Sequence, residues 1–221
     1  MDLPDISLHP GGIELTLKLA EKAELKTGEK LLDIGCGTGC SLASLAENFG
    51  IVPFGTDISE KTVAVAGALH PGISFTCANA CSLPFEDASF DAVLMECVIT
   101  LLDDPAAALS EAVRILKPGG RLILSALVNT GQTDAKELVS DGLLQPESFR
   151  SFAKDLGLET VFEEDYKNAL ITFIAESIFE YGSLEERIRA ESAGTGAYTL
   201  DCRIKYDPKK SSYAGFVLKK F

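Results

Sequence analysis

Leu31-Leu32-Asp33-Ile34-Gly35-Cys36-Gly37-Thr38-Gly39 sets the architecture of this chain. The apolar run from Lys30 to Ile34 gives way to three glycines at alternate positions, and a helix-compatible segment, Ser41 to Glu47, follows at once. That order puts a tight turn at the carboxyl end of a buried strand. Glycine is needed there because it admits positive φ and lets a ligand lie directly on the backbone. In an open α/β sheet this crevice is where ligands bind. Asp33 stands just before the turn, within reach of whatever lies in it.

Spacing separates the nucleotide loops that look like this. A dinucleotide fingerprint needs G-x-G-x-x-G, and the register from Gly35 puts Cys40 where the third glycine belongs. A phosphate-cradling P-loop needs a lysine before its final Ser or Thr, and none is present. What remains is acid-x-G-x-G-x-G. The segment closely resembles the first motif of the class I S-adenosylmethionine-dependent methyltransferases; a bare glycine turn is the alternative.

Outward from the turn, the pattern alternates. Leu15, Leu17, Leu19, Ala20 and Ala23 mark an amphipathic helix from Ile13, stopped at Lys26-Thr27-Gly28. Ile51 to Asp57 reads as a second strand ending on an acid, with Ser59 capping the next helix. Ile73 to Cys77 is a third strand, and Phe90 to Met95 has the near-continuous apolar character of a central parallel strand. Asp104-Pro105 opens a helix that Lys117-Pro118-Gly119-Gly120 should end, before a fifth strand over Arg121 to Leu127. This alternation predicts a doubly wound α/β sheet. A helix over Pro146 to Leu156 and a strand over Glu159 to Glu164 follow. Two helical patterns then precede a final strand from Tyr213, the first carrying the stripe Leu170, Phe173, Ile174, Ile178 and Tyr181.

The expected organisation is therefore one domain, a Rossmann-like seven-stranded sheet, mostly parallel with an antiparallel last strand. An N-terminal helix lies within residues 1–29, a cofactor-binding core over 30–165, a helical insertion over 166–210 as a candidate cap, and the last strand over 211–221.

A formal net charge of −13 argues against nucleic acid, whose phosphates need a basic face, and against anionic membrane surfaces. No uninterrupted apolar run reaches about 18 residues, and the first five residues lack a signal core. A cytoplasmic protein, monomer or homodimer, is expected. The basic cluster of Arg203, Lys205, Lys209, Lys210, Lys219 and Lys220 reads as a solvated, edge-protecting face. Six cysteines at C-x3-C and other spacings match no zinc pattern and read as reduced thiols, so no metal is expected.

Asp57, 22 residues after Gly35 at a strand tip, stands where a carboxylate would hold a ribose diol; capping the next helix is its alternative role. The resemblance runs from Leu31 to about Leu127 and is closest to small-molecule methyltransferases like those of quinone biosynthesis. It rests also on Leu83-Pro84-Phe85, Phe90-Asp91 and Leu116-Lys117-Pro118-Gly119-Gly120. It implies S-adenosylmethionine as cofactor: Gly35, Gly37 and Gly39 against its methionine portion, Asp33 toward its ammonium, Asp57 at the ribose, Asn79 and Ala80 at adenine, and Cys36 and Ile58 as further cofactor contacts. Asn79 departs from the usual aspartate, though its amide oxygen still accepts a hydrogen bond.

Glu96 and Cys97 end the fourth strand at the methionine side. Glu96 has three candidate roles (ammonium ligand, general base, substrate contact) beside the plain one of a strand-end acid. Cys97, Tyr166, Phe173 and Tyr181 are candidate substrate contacts. Methyl transfer to a small molecule is the expected function. A non-catalytic cofactor- or partner-binding protein on the same fold is the alternative, and a thiol-assisted metalloid methyltransferase using Cys36, Cys40, Cys81 and Cys97 a third.

Overall fold

Strand β1 (Lys30–Ile34) is the axis around which the rest of the sheet is built. The computed structural model describes residues 9–131, 137–192 and 207–221. Helix α1 (Gly12–Lys22) precedes β1, and α2 (Cys40–Phe49) follows its glycine turn. Then come β2 (Val52–Asp57), α3 (Glu60–Leu69), β3 (Ser74–Cys77), β4 (Phe90–Glu96), α4 (Pro105–Ile115) and β5 (Leu116–Asn129). The second half holds β6 (Val139–Ser140), β7 (Leu143–Leu144), α5 (Pro146–Asp155), β8 (Leu158–Asp165), α6 (Lys167–Tyr181), α7 (Leu184–Ser192) and β9 (Ser211–Lys220).

The helix starts follow local chemistry. Ser59 Oγ accepts from the Thr62 amide at 3.2 Å and caps α3. Asp104 Oδ1 accepts from the Ala107 amide at 2.9 Å, with Pro105 in the first turn of α4.

The sheet runs β3-β2-β1-β4-β5 with every neighbour parallel, then β9 antiparallel to β5, and β8 antiparallel to β9 at the far edge. The seven-stranded, mostly parallel sheet with a reversed last strand is as expected. Two details differ. Lys117 to Gly120 do not separate α4 from β5: Phe90 pairs with Leu116 and Ala92 with Arg121, so these residues bulge inside the ladder. Residues 139–144 also form a small hairpin, with Leu144 pairing parallel to Val128. Strands of two residues leave no periodicity to read in the sequence.

Alternate side chains of the central strands feed two apolar layers. Leu32, Val93, Met95, Leu122, Leu124 and Phe216 face α4 and α5. Leu31, Leu94, Ile123, Tyr213 and Val217 face Leu15 and Leu19 of α1, Leu42 and Leu45 of α2 and Leu170 of α6. The insertion thus lies on the α1–α2 side. Only two of the five residues of its apolar stripe are buried: Leu170 and Phe173 turn inward, while Ile178 is 57% exposed. Arg187 of α7 lies 4.3 Å above the Phe173 ring and 5.9 Å from that of Tyr181, and its guanidinium donates to Ser177 Oγ at 3.4 Å.

Of the basic cluster, Lys219 and Lys220 lie on β9 and do not guard an edge. β9 lies between β5 and β8, and Lys220 Nζ donates to the carbonyls of Val113 at 2.6 Å and Leu116 at 2.7 Å, closing the end of α4. Arg203, Lys205 and Cys202 fall outside the described residues.

Candidate functional site

The carboxyl ends of β1, β2 and β4 converge on the glycine turn. Its first two amides, of Gly35 and Cys36, both donate to the Thr56 carbonyl of β2, at 2.7 and 2.9 Å. A Cβ built on Gly35 would lie 2.3 Å from Val98 Cγ2, and one on Gly39 would lie 2.6 Å from Phe75 Cζ. Gly37 is different. At φ +52° it has nothing within 4 Å of a Cβ position, so the turn is packed at both ends and opens onto space in the middle.

Three acids that act on one another lie at these strand ends, Asp33, Asp57 and Glu96. Asp33, 3% exposed, receives no side-chain hydrogen bond from any described residue. Burial, then Glu96 and Asp57 as like charges, push its carboxyl well above the ordinary carboxylate range. Asp57 Oδ2 accepts from the Gly37 amide at 3.3 Å and Oδ1 from the Ser59 amide at 2.9 Å. It therefore clamps the glycine turn to Ser59, while the capping of α3 itself falls to the Ser59 hydroxyl. Burial raises its value against those amide bonds.

Glu96 is 8% exposed and fully engaged. Its Oε1 accepts from Thr16 Oγ1 and its Oε2 from Ser41 Oγ, both at 2.8 Å, and His9 Nε2 lies 3.4 Å from Oε2. Burial alone would raise its value, but the His9 charge and the three side-chain contacts hold it below the usual range. A carboxylate so held is a weak base.

Cys97 has φ +55°, a left-handed conformation uncommon for a side-chain-bearing residue, and its amide donates to the Ser125 carbonyl at 2.9 Å. Tyr213 donates to Ser125 Oγ at 2.8 Å, which leaves the Cys97 thiol, 3.2 Å away, to donate to the phenol oxygen. Burial pushes that thiol up to about 12.

On the β2–β3 side, Ile58 is 73% exposed beside Asp57, and Ala80 is buried. The Asn79 amide oxygen accepts from the Cys81 amide at 2.9 Å, holding its own turn. Tyr166 donates to Glu164 at 2.9 Å and packs with Lys18 of α1 at 4.8 Å, while Phe173 and Tyr181 meet at Arg187. These three aromatics thus belong to the contacts of α6 with α1 and α7. The thiols do not gather: Cys36 approaches the Gly37 carbonyl, Cys40 faces Thr38, Cys81 turns to the Asp104 carbonyl, and no group of three or more His, Cys, Asp or Glu side chains forms a ligand set among the described residues.

Sequence reasoning missed His9, Thr16, Ser41 and Tyr213. A histidine directly before Pro-Gly-Gly is a faint signal for the first; the others carry none, because their partners lie 55 to 116 residues away.

Residues 32–124 match the family profile described as a methyltransferase domain. Phosphoethanolamine N-methyltransferase 1 of Arabidopsis thaliana is 30% identical over 166 residues, 70% of this chain and 34% of that protein. Demethylmenaquinone methyltransferase of Beutenbergia cavernae is 38% identical over 100 residues, 45% of this chain and 41% of that protein. The chain thus spans less than half the length of either relative. Among solved structures, the 4+2 cyclase SpnF superposes with a TM-score of 0.72 at 27% identity, over 95% of this chain and 81% of that one.

Proposed function

We propose that the chain is a class I S-adenosylmethionine-dependent methyltransferase that transfers the cofactor's methyl group to a small-molecule acceptor, a reading supported by the methyltransferase-domain match over residues 32–124 and by the two methyltransferase relatives. The observation carrying this reading is the open middle of the glycine turn above a buried Asp33 that no described residue satisfies. Such an acid is costly unless a cationic partner arrives. A ligand that brings an ammonium to Asp33 and a diol to Asp57 fits both carboxylates. Exposed Ile58 offers an apolar face to a purine, and the Ala80 amide a donor to its edge.

When bound, the cofactor supplies an electrophilic methyl group on a sulfonium. The protein's share is to hold the acceptor in line and exclude water, for which positioning alone can contribute on the order of 7–11 kcal/mol. Glu96 serves better as a hub that fixes Thr16, Ser41 and His9 than as a base. In this reading Cys97, held by Tyr213 and Ser125, lines the acceptor side as a neutral thiol. The acidic surface favours small molecules over nucleic acid as acceptors. A protein that holds the cofactor without methyl transfer is a second reading, supported by the shared fold of a cyclase.

Isothermal titration with S-adenosylmethionine and its demethylated product tests the site. Incorporation of a labelled methyl group from the cofactor into extract metabolites tests turnover. Binding without any incorporation would favour the second reading; no binding would defeat both.

A further inference from the structure

We propose that His9 is a positioning residue of the cofactor cleft: paired with Glu96, it straps the segment ahead of α1 to the tip of β4 and the first turn of α2, and does so only while its imidazole carries both protons. The proposal rests on the cofactor reading of the cleft.

Hydrogen-bond polarity carries the argument. His9 Nδ1 lies 3.3 Å from the Pro10 carbonyl, which can only accept, so Nδ1 bears a hydrogen. Nε2 faces Glu96 Oε2 at 3.4 Å and Thr16 Oγ1 at 3.3 Å. The Thr16 proton is already given to Glu96 Oε1 at 2.8 Å, so its oxygen is left to accept. Among the described residues every neighbour of the ring nitrogens is an acceptor, and only the imidazolium satisfies them. With the ring 6% exposed, loss of one proton would set a lone pair against a carboxylate with no water to separate them.

The strap reaches the cleft through Glu96 Oε2, which also accepts from Ser41 Oγ, two residues beyond Gly39. Of the elements packed here, β4 contributes Glu96, α1 the uncharged Thr16 and α2 the uncharged Ser41. Asp33 of β1 lies beyond, acted on by Glu96. Glu96 is the charged group that acts on His9 among the described residues. Burial works against the imidazolium, and the Glu96 charge, its hydrogen bond and the Pro10 carbonyl outweigh it, so the ring's value rises above 6.5. The strap is therefore complete below 6.5 and is lost as pH climbs through that raised value.

Titration of the demethylated cofactor product into wild type and His9→Gln between about pH 6 and about pH 9 tests the strap. Wild type should bind with a constant Kd at the acid end and weaken about fivefold or more toward the alkaline end, the lower range of coupling between linked sites. His9→Gln should show the weak value throughout, with no pH dependence. Equal affinities and parallel profiles for the two proteins would overturn the proposal. Should His9→Gln not fold, as judged by near-ultraviolet circular dichroism, the wild-type profile decides alone, and a flat one overturns it. Absence of binding by wild type at any pH would remove the cofactor reading itself, and the strap with it.

Discussion

At the residue scale, the three alternating glycines look equivalent in sequence and are not equivalent in space. Gly35, at φ +77°, has no room for a methyl group because Val98 Cγ2 would stand 2.3 Å away. Left-handed backbone costs an alanine about 1–2 kcal/mol before any collision. Gly35→Ala should therefore lower the melting temperature markedly, by differential scanning calorimetry, and lose cofactor binding only as a consequence. A Cβ on Gly37 has nothing within 4 Å, so Gly37→Val carries the strain of a β-branched side chain at φ +52° without the collision met at Gly35; it should melt below wild type yet bind no cofactor even where folded, the side chain occupying the cradle. Wild-type affinity in folded Gly37→Val would place the cofactor elsewhere. Asp57 gives a graded counterpart. Asp57→Ala removes the acceptor for the Gly37 and Ser59 amides and the charged partner proposed for the ribose. Hydrogen bonds to charged groups contribute about 1.5–3 kcal/mol, so calorimetric titration should show a roughly ten- to hundredfold weaker Kd. Asp57→Asn, which keeps an acceptor oxygen, should lose less.

At the scale of elements, what was legible in the sequence is what is local. The β1 turn, the Ser59 and Asp104 caps and the apolar runs of β4 and β5 are each written within a few consecutive residues, because one backbone hydrogen bond or one strand period decides them. The hub at Glu96 is written nowhere locally: α1, α2 and β4 bring Thr16, Ser41 and Glu96 together only when the sheet has formed. Sequence marks Glu96 as a strand-end acid but cannot show that its lone pairs are taken. The bulge at Lys117 to Gly120 was equally hidden, since Pro-Gly-Gly reads as a breaker and only the partner strand shows it inside a ladder. Arg114 shows how such long-range ties hold a loop. It donates to the carbonyls of Phe85 at 2.8 Å and Leu83 at 3.1 Å, and pairs with Glu111 and Asp87. Glu111 in turn accepts from the Leu83 amide at 2.8 Å. Arg114→Ala should free Leu83-Pro84-Phe85 while leaving the sheet intact. Hydrogen exchange should rise over residues 82–89 and stay unchanged in β1 and β5; protection equal to wild type over 82–89 would show that the Phe54–Phe90–Phe85 ring packing suffices.

At the scale of the whole molecule, the insertion between β8 and β9 is the part whose purpose is least fixed by the fold. Tyr166, at the end of β8, donates its amide to the Tyr213 carbonyl of β9 at 2.6 Å, and Asp165 pairs with Ala214. The two strand ends are therefore already neighbours, and a two-residue turn of the Asn-Gly kind could join them without the intervening chain. What the insertion adds is one side of a wall. Leu170 packs in the layer that holds Leu15, Leu19 and Tyr213, with Cys97 and Tyr166 against the same layer, so α6 shares the α1 side of the sheet with Cys97. If that wall excludes water and holds the acceptor, replacing residues 168–211 with such a turn should leave product binding at the glycine turn within about threefold of wild type while methyl transfer falls by about a hundredfold, the scale lost when positioning is relaxed. Near-ultraviolet circular dichroism would confirm that the sheet survives. Normal transfer in the shortened protein would assign α6 and α7 to another task, and loss of binding together with transfer would mean that the wall supports the cofactor cleft rather than the acceptor.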